Sequence, residues 1–203
     1  KNLTASGSST VTLYAQWTPD TYTVHYDANG GNSAPNDQTK TYGVTLTLSS
    51  TKPTRMGYTF VAWNTKSDGS GTTYASGAVY TANAPLTLYA QWKINTYTVS
   101  YNANGGTGAP NGQTKTYGID LTLSSVQPTR TGYTFKAWNT SASGNGTTYA
   151  PGSRYTGNTN LTLYAQWIPD TYTVHYDANG GSGAPNDQTK VYDIDLTLSS
   201  VKI

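Results

Sequence analysis

Apolar and polar residues alternate along this chain in short runs bounded by glycine, proline and asparagine. In Thr21–Asp27 the side chains of Tyr22, Val24 and Tyr26 fall on one parity, and Thr21, Thr23 and His25 on the other. A period of two predicts a strand with one face in a core and one in water. Asn29-Gly30-Gly31 follows, and these residues tolerate the positive φ of a tight turn. Tyr42, Val44, Leu46 and Leu48 again share a parity and predict a second strand, closed by Pro53. Tyr58, Phe60 and Ala62 predict a third core-facing set. Trp63 lands on the opposite parity, so it is either partly open or turned inward by a bulge, and we read a bulge. The glycine-rich stretch 67–73 reads as a surface hairpin loop, residues 74–80 as room for one short helical turn. Leu86, Leu88, Ala90 and Trp92, set against Thr87, Tyr89 and Gln91, predict a last strand.

The same pattern returns. Tyr22 to Gly31 recurs at Tyr97 to Gly106 and at Tyr172 to Gly181, and Leu13 to Trp17 recurs at Leu88 to Trp92 and Leu163 to Trp167, each time 75 residues on. Residues 19–93 and 94–168 are identical at about two-thirds of positions. The sequence therefore divides into 1–18, the last strand of a preceding repeat; 19–93 and 94–168, two full repeats; and 169–203, the first half of a following one. This organisation suggests a piece of a longer tandem array. A period of 75 exceeds that of common solenoid units and suits a small domain that closes its own core, so beads on a string is the expected arrangement.

Composition agrees with strands. Threonine occurs 37 times and tyrosine 18 times, which favours a mainly β fold, α+β at most. There is no cysteine, so a disulfide framework, a thiolate metal site and a cysteine nucleophile are excluded. There is no glutamate either, which removes EF-hand and Glu-dependent metalloprotease patterns. A formal charge of +2 with scattered lysines gives no footprint for nucleic acid, and no apolar run approaches the ~20 residues of a membrane-spanning helix.

Four motifs in order carry a family resemblance: Tyr22 to Gly31, then Tyr42-Gly43 with Leu46-Thr47-Leu48, then Pro53-Thr54-Arg55 with Gly57 to Thr65, then Leu86 to Trp92. Together they resemble the Listeria–Bacteroides repeat, the B-repeat of internalin-type bacterial surface proteins. Ala62 and Ala137 stand where that pattern usually has glycine. The resemblance implies tandem β-grasp-like domains of about four strands each, placed between a binding domain and the cell envelope of a surface protein. It implies no catalytic residues.

Candidate chemistry is sparse. Asp27 with Asn29 suggests an oxygen-rich cation loop, but Asn102 replaces Asp27 in the second copy, so a turn with side-chain-to-backbone hydrogen bonds is the better reading. His25 and His175 have Ser100 between them in the series and read as exposed strand residues. No cofactor and no metal site is expected. Trp17, Trp92 and Trp167 read as core, and core is also the better reading of Trp63 and Trp138, although those two are the best candidates for an exposed aromatic contact with a glycan. Asn2, Asn139, Asn145 and Asn160 stand in glycosylation sequons, which are expected to be unoccupied. Lys40, Lys115 and Lys190 recur before the second strand and read as edge-strand lysines, with a covalent Lys–Asn cross-link as the sharper alternative.

These features predict a non-catalytic structural or adhesive segment, a stalk or spacer on a bacterial surface, whose partners are the adjacent repeats of its own chain. One alternative is a weak multivalent module for a cell-surface glycan or a partner protein. A third reading is self-association into fibres, with Leu13–Trp17 of one chain donated as a strand to the half-repeat of another, a composite that still lacks the Gly-Tyr-Thr-Phe segment. Nucleic acid and membrane insertion are not expected.

Overall fold

The computed structural model describes residue 10 and residues 12–201. It divides into two compact units, Lys1–Lys93 and Ile94–Ile203. The sequon at Asn2 lies outside the described residues.

The first unit contains β1 (Thr21–Asp27), β2 (Gln38–Thr41), β3 (Leu46–Thr47), β4 (Tyr58–Asn64), β5 (Thr73–Tyr74), β6 (Val79–Tyr80) and β7 (Leu86–Ile94). Its main sheet has the order β2-β1-β7-β4-β5, and β3 pairs with β6 in a second, two-stranded sheet. The second unit repeats this plan with β8 (Thr96–Asn102), β9 (Gln113–Thr116), β10 (Leu121–Thr122), β11 (Tyr133–Asn139), β12 (Thr148–Tyr149), β13 (Arg154–Tyr155) and β14 (Leu161–Pro169). It adds a hairpin-like pair, β15 (Thr171–Val174) and β16 (Gln188–Val191). In both repeats the first and last strands run parallel, with Val24 opposite Leu86 and Val99 opposite Leu161.

The fold is mainly β, with no helix among the described residues. Residues 74–80 hold no helical turn: Tyr74 pairs with Trp63 in the main sheet and Tyr80 with Leu46 in the small one, with Gly77 at φ 77° between them. Each full repeat has seven strands rather than about four, but β2, β3, β5 and β6 are only two to four residues long.

The core of the first repeat is Val24, Tyr26, Leu48, Trp63, Tyr80, Leu88 and Ala90; that of the second is Val99, Leu123, Trp138, Tyr155, Leu163 and Ala165. The alternation expected for β1 is present, with Val24 and Tyr26 buried and Thr23 and His25 exposed. The single strand expected through Tyr42, Val44, Leu46 and Leu48 is instead broken. Gly43 takes φ 70° and the Val44 N–H donates to Thr41 O, a turn that leaves Tyr42 and Val44 exposed while Leu46 and Leu48 reach the core. The bulge is present in the second repeat: Phe135 faces Trp167 and Ala137 faces Gln166, so Lys136 is the extra residue and Trp138 turns inward.

Residues 12–20 form no strand, and Trp17 is 89% exposed, against the expectation that it packs in a core. The turn that holds its counterpart Trp92 follows β1 of the same repeat, and the sequence of residues 1–20 has no Asn-Gly-Gly to make one.

Candidate functional site

Trp63 and Trp138 are each 0% exposed, so neither offers a face to a sugar. Each indole sits edge-on to a tyrosine, Tyr26 or Tyr101, with ring centroids 5.0 Å apart, and against Phe60 or Phe135. Both rings are thus the centre of the core, the better of the two readings, and in the second repeat the bulge at Lys136 is what turns Trp138 inward. Their indole N–H groups have no acceptor among the described residues.

The half-buried tryptophans do different work. Asn29 takes φ 48° and its N–H donates to Asp27 Oδ1, 2.7 Å, which is the expected turn rather than a cation loop. The turn then grips the last strand. Asn29 Nδ2 donates to Ala90 O, 2.9 Å, and Trp92 Nε1 donates to Ala28 O and Asn29 O, 3.0 and 3.2 Å. Gly31 lies beneath the Trp92 ring, where a Cβ would stand 2.5 Å from Cζ2 and 2.7 Å from Thr54 O. Asn104, Gly106 and Trp167 repeat the arrangement in the second copy.

Lys40 and Lys115 are not edge-strand lysines held in water: they are 0% and 1% exposed. Lys40 Nζ donates to Thr41 O and Asn83 Oδ1, both 2.8 Å, and Asn83 Oδ1 also accepts from Gly43 N–H, 2.9 Å. Lys115 binds Thr116 O and Asn158 Oδ1 in the same way. The ammonium therefore pins the turn after the second strand to the loop before the last one. Among the described residues no carboxylate forms an ion pair with either lysine, so the proton relay that a Lys–Asn cross-link requires is absent from this arrangement. Lys190 instead donates to Val191 O and Ile194 O.

A further constellation lies in the second unit, where β14 passes into β15 through the single residue Asp170. Both backbone groups of Asp170 are engaged: its N–H donates to Gly132 O, 2.9 Å, and its carbonyl accepts from Tyr192 N–H, 2.9 Å. Its carboxylate accepts from Thr134 Oγ1, 2.8 Å. The Tyr192 ring covers Gly132 so closely that a Cβ there would enter it, and it meets Tyr133 edge-on with centroids 5.5 Å apart. Tyr133 Oη donates to Asp193 Oδ2, 3.2 Å. Beside this contact Tyr192 and Asp193 close a cleft of about 490 Å³ against Arg130, Tyr133, Thr107 and Thr129. The Arg130 guanidinium lies 3.8 Å over the Tyr133 ring, as Arg55 lies 4.0 Å over Tyr58 in the first unit. Sequence reasoning missed these residues, although Arg-x-Gly-Tyr is identical in both full copies.

His25 and His175 are exposed, each with Nδ1 2.7 Å from a carboxylate oxygen, of Asp37 and Asp187 respectively. No group of three or more His or Asp residues suited to a metal occurs among the described residues. Asn139 is 1% exposed, and its side chain is spent on Gly144 O, Gly146 O and Thr148 Oγ1, which closes that sequon to modification.

The class is thus a tandem repeat protein in which each copy closes its own small β core around buried aromatics. The chain belongs to the Listeria-Bacteroides repeat domain family, whose model matches residues 22–91 and 97–166. It is 37% identical over 180 residues to a protein named as a Gly-rich membrane protein in Evansella cellulosilytica, covering 87% of this chain and 20% of that one. It is also 34% identical over 196 residues to Internalin H of Listeria monocytogenes, covering 92% of this chain and 33% of that one. The chain therefore spans between a fifth and a third of the length of these relatives.

Proposed function

We propose that this chain is a non-catalytic spacer of a bacterial extracellular surface protein, built to carry tension along its length. The surface setting is supported by the family and by the likeness to Internalin H. The spacer role rests on one observation, the parallel pairing of the first and last strands of each repeat. Parallel terminal strands bring the chain in at one end of a repeat and out at the other, about 25–30 Å away for strands of this length. An antiparallel pair would return it to the same end. Tension on the ends also loads the β1–β7 and β8–β14 hydrogen bonds in shear, all at once, rather than one pair after another.

The side-chain clamps reinforce the same seam, since Asn29 and Trp92 bond across β1 and β7. Asp170 adds a connection with no slack between the second repeat and the strands that follow.

Single-molecule pulling tests this. With no native cysteine, handles are placed at will. Pulling from the chain ends is compared with pulling through Lys136→Cys and Ile168→Cys, which peels β11 from β14 pair by pair. The second repeat is expected to rupture at a several-fold higher force from the ends. Equal or lower force from the ends overturns the tension-bearing role.

A further inference from the structure

We propose that the cleft formed by Arg130, Tyr192 and Asp193 is a saccharide-binding site, selective for a pyranose with vicinal hydroxyls. The site is not the tryptophan platform suggested by the sequence, and it goes beyond the spacer role.

The Arg130 guanidinium is held flat on Tyr133, which fixes its plane while leaving the N–H groups at its edge. Among the described residues it takes part in no ion pair, and no hydrogen bond ends on it. A pre-oriented fork of donors without acceptors thus faces the cleft. Opposite stands Asp193, a pure acceptor. One of its oxygens takes the Tyr133 hydroxyl, and the rest of its accepting capacity is unspent.

Asp193 is also where this copy departs from the others. Gly43 and Gly118 occupy the same repeat position at φ 70° and 69°, and Asp193 holds φ 55°. Aspartate is among the few residues other than glycine that adopt this region readily, because its short polar side chain bonds locally. The exchange therefore brings a carboxylate to the cleft at little backbone cost.

Ligand class follows from these groups. Arginine and aspartate sum to no net charge, which disfavours a strongly anionic ligand. Paired hydroxyls donate to a carboxylate while their oxygens accept from a guanidinium, so a vicinal diol satisfies both. Tyr192, half-buried, supplies an aromatic wall for the C–H face of a ring, and Thr107 and Thr129 add hydroxyls. The volume, about 490 Å³, lies within the range of small-molecule sites and accommodates one or two sugar rings.

The test is saturation-transfer NMR on the whole chain with methyl α-mannoside, cellobiose and N,N′-diacetylchitobiose, with galacturonic acid as the charged comparison. At least one neutral sugar is expected to bind in the millimolar range and to shift the Gly105, Tyr133 and Tyr192 signals. Asp193→Gly, which installs the residue the other copies carry, and Arg130→Gln are each expected to weaken binding at least tenfold with the circular dichroism spectrum unchanged. No transfer to any neutral sugar overturns the proposal, as does binding that both variants leave intact. Preference for galacturonic acid overturns the diol assignment. Failure here leaves the pulling result untouched, so the two readings fall separately.

Discussion

Replacing Trp63 with alanine is the sharpest probe of how a repeat holds together. The ring is fully buried and touches Tyr26 and Phe60 at centroid distances of 5.0 and 5.1 Å. Truncating a buried tryptophan costs about 3–5 kcal/mol. At about 0.05–0.15 kcal/mol per residue, a unit of this size holds only about 4–11 kcal/mol. Trp63→Ala is therefore expected to leave the first repeat unfolded or close to it. Trp63→Phe behaves differently. It gives up about 2 kcal/mol of burial for the three lost ring atoms. It also removes an indole N–H that has no acceptor among the described residues, and leaving such a group unpaired costs about 1–3 kcal/mol. The net change is expected within about 1 kcal/mol of zero. Hydrogen exchange read by mass spectrometry separates peptides of residues 19–93 from those of 94–168, so the second repeat is the internal reference. Trp63→Ala should collapse protection in the first set and spare the second. Unchanged protection, or a phenylalanine variant as damaged as the alanine one, refutes the reasoning.

Gly31→Ala puts a Cβ 2.5 Å from the Trp92 ring and is expected to lower the urea midpoint by the equivalent of about 2–3 kcal/mol, a core overpacking cost. Gly43→Ala meets nothing within 4 Å and should cost only the left-handed backbone term, about 1 kcal/mol. Asn83→Ala strips an acceptor from the buried Lys40 ammonium and is expected to cost about 2–3 kcal/mol. Intact mass should equal the sequence mass, with no ammonia lost per repeat; a loss of one ammonia would show the cross-link after all. Burial raises the pKa of Tyr26 and Tyr101 above the usual tyrosine value, outweighing the opposing Ser49 and Ser124 N–H bonds. The folded state thus holds these protons more tightly, so stability is level below pH ~10 and falls as pH rises through the folded-state pKa values. Urea midpoints that stay constant across that window would contradict this.

How far the sequence could be read depended on whether neighbouring residues carried the signal. The β1 pattern was legible because Val24 and Tyr26 contrast with Thr23 and His25 on a strand with one wet face. The bulge seen in the second repeat was legible because Trp138, like Trp63, contradicts the parity of its own strand. Residues 41–48 misled, because the parity of Tyr42 and Val44 matched that of Leu46 only by accident, and the informative residue was Gly43 with its positive φ. The buried lysine was invisible to periodicity. It sits in Gln38-Thr39-Lys40-Thr41, where nothing is apolar, and its acceptor Asn83 is 43 residues away. The candidate site was illegible for a related reason: Arg130, Tyr192 and Asp193 come from different repeats, and Asp193 replaces a glycine whose conformation no pattern displays.

Residues 169–203 separate what the chain encodes locally from what the last strand confers. The Asx turn forms there without any such strand, with Asn179 at φ 46° and its N–H 2.7 Å from Asp177 Oδ1. β15 pairs with β16 in the register of β1 with β2, and Ser199 N–H still finds Tyr176 Oη. Burial does not follow. Tyr172 is 51% exposed and Leu198 60%, while Leu48 and Leu123, at the position of Leu198 in the full repeats, are each 1% exposed. Turn and hairpin geometry is thus written within about 30 residues, but the core closes only when β7 arrives between β1 and β4, or β14 between β8 and β11. That strand carries the Leu-Tyr-Ala-Gln-Trp motif and meets the Asn-Gly-Gly turn from more than 60 residues away. Two motifs that each occur three times in the chain, Asn-Gly-Gly and Leu-Tyr-Ala-Gln-Trp, are therefore two halves of one clamp, and both lie on the seam that tension would load.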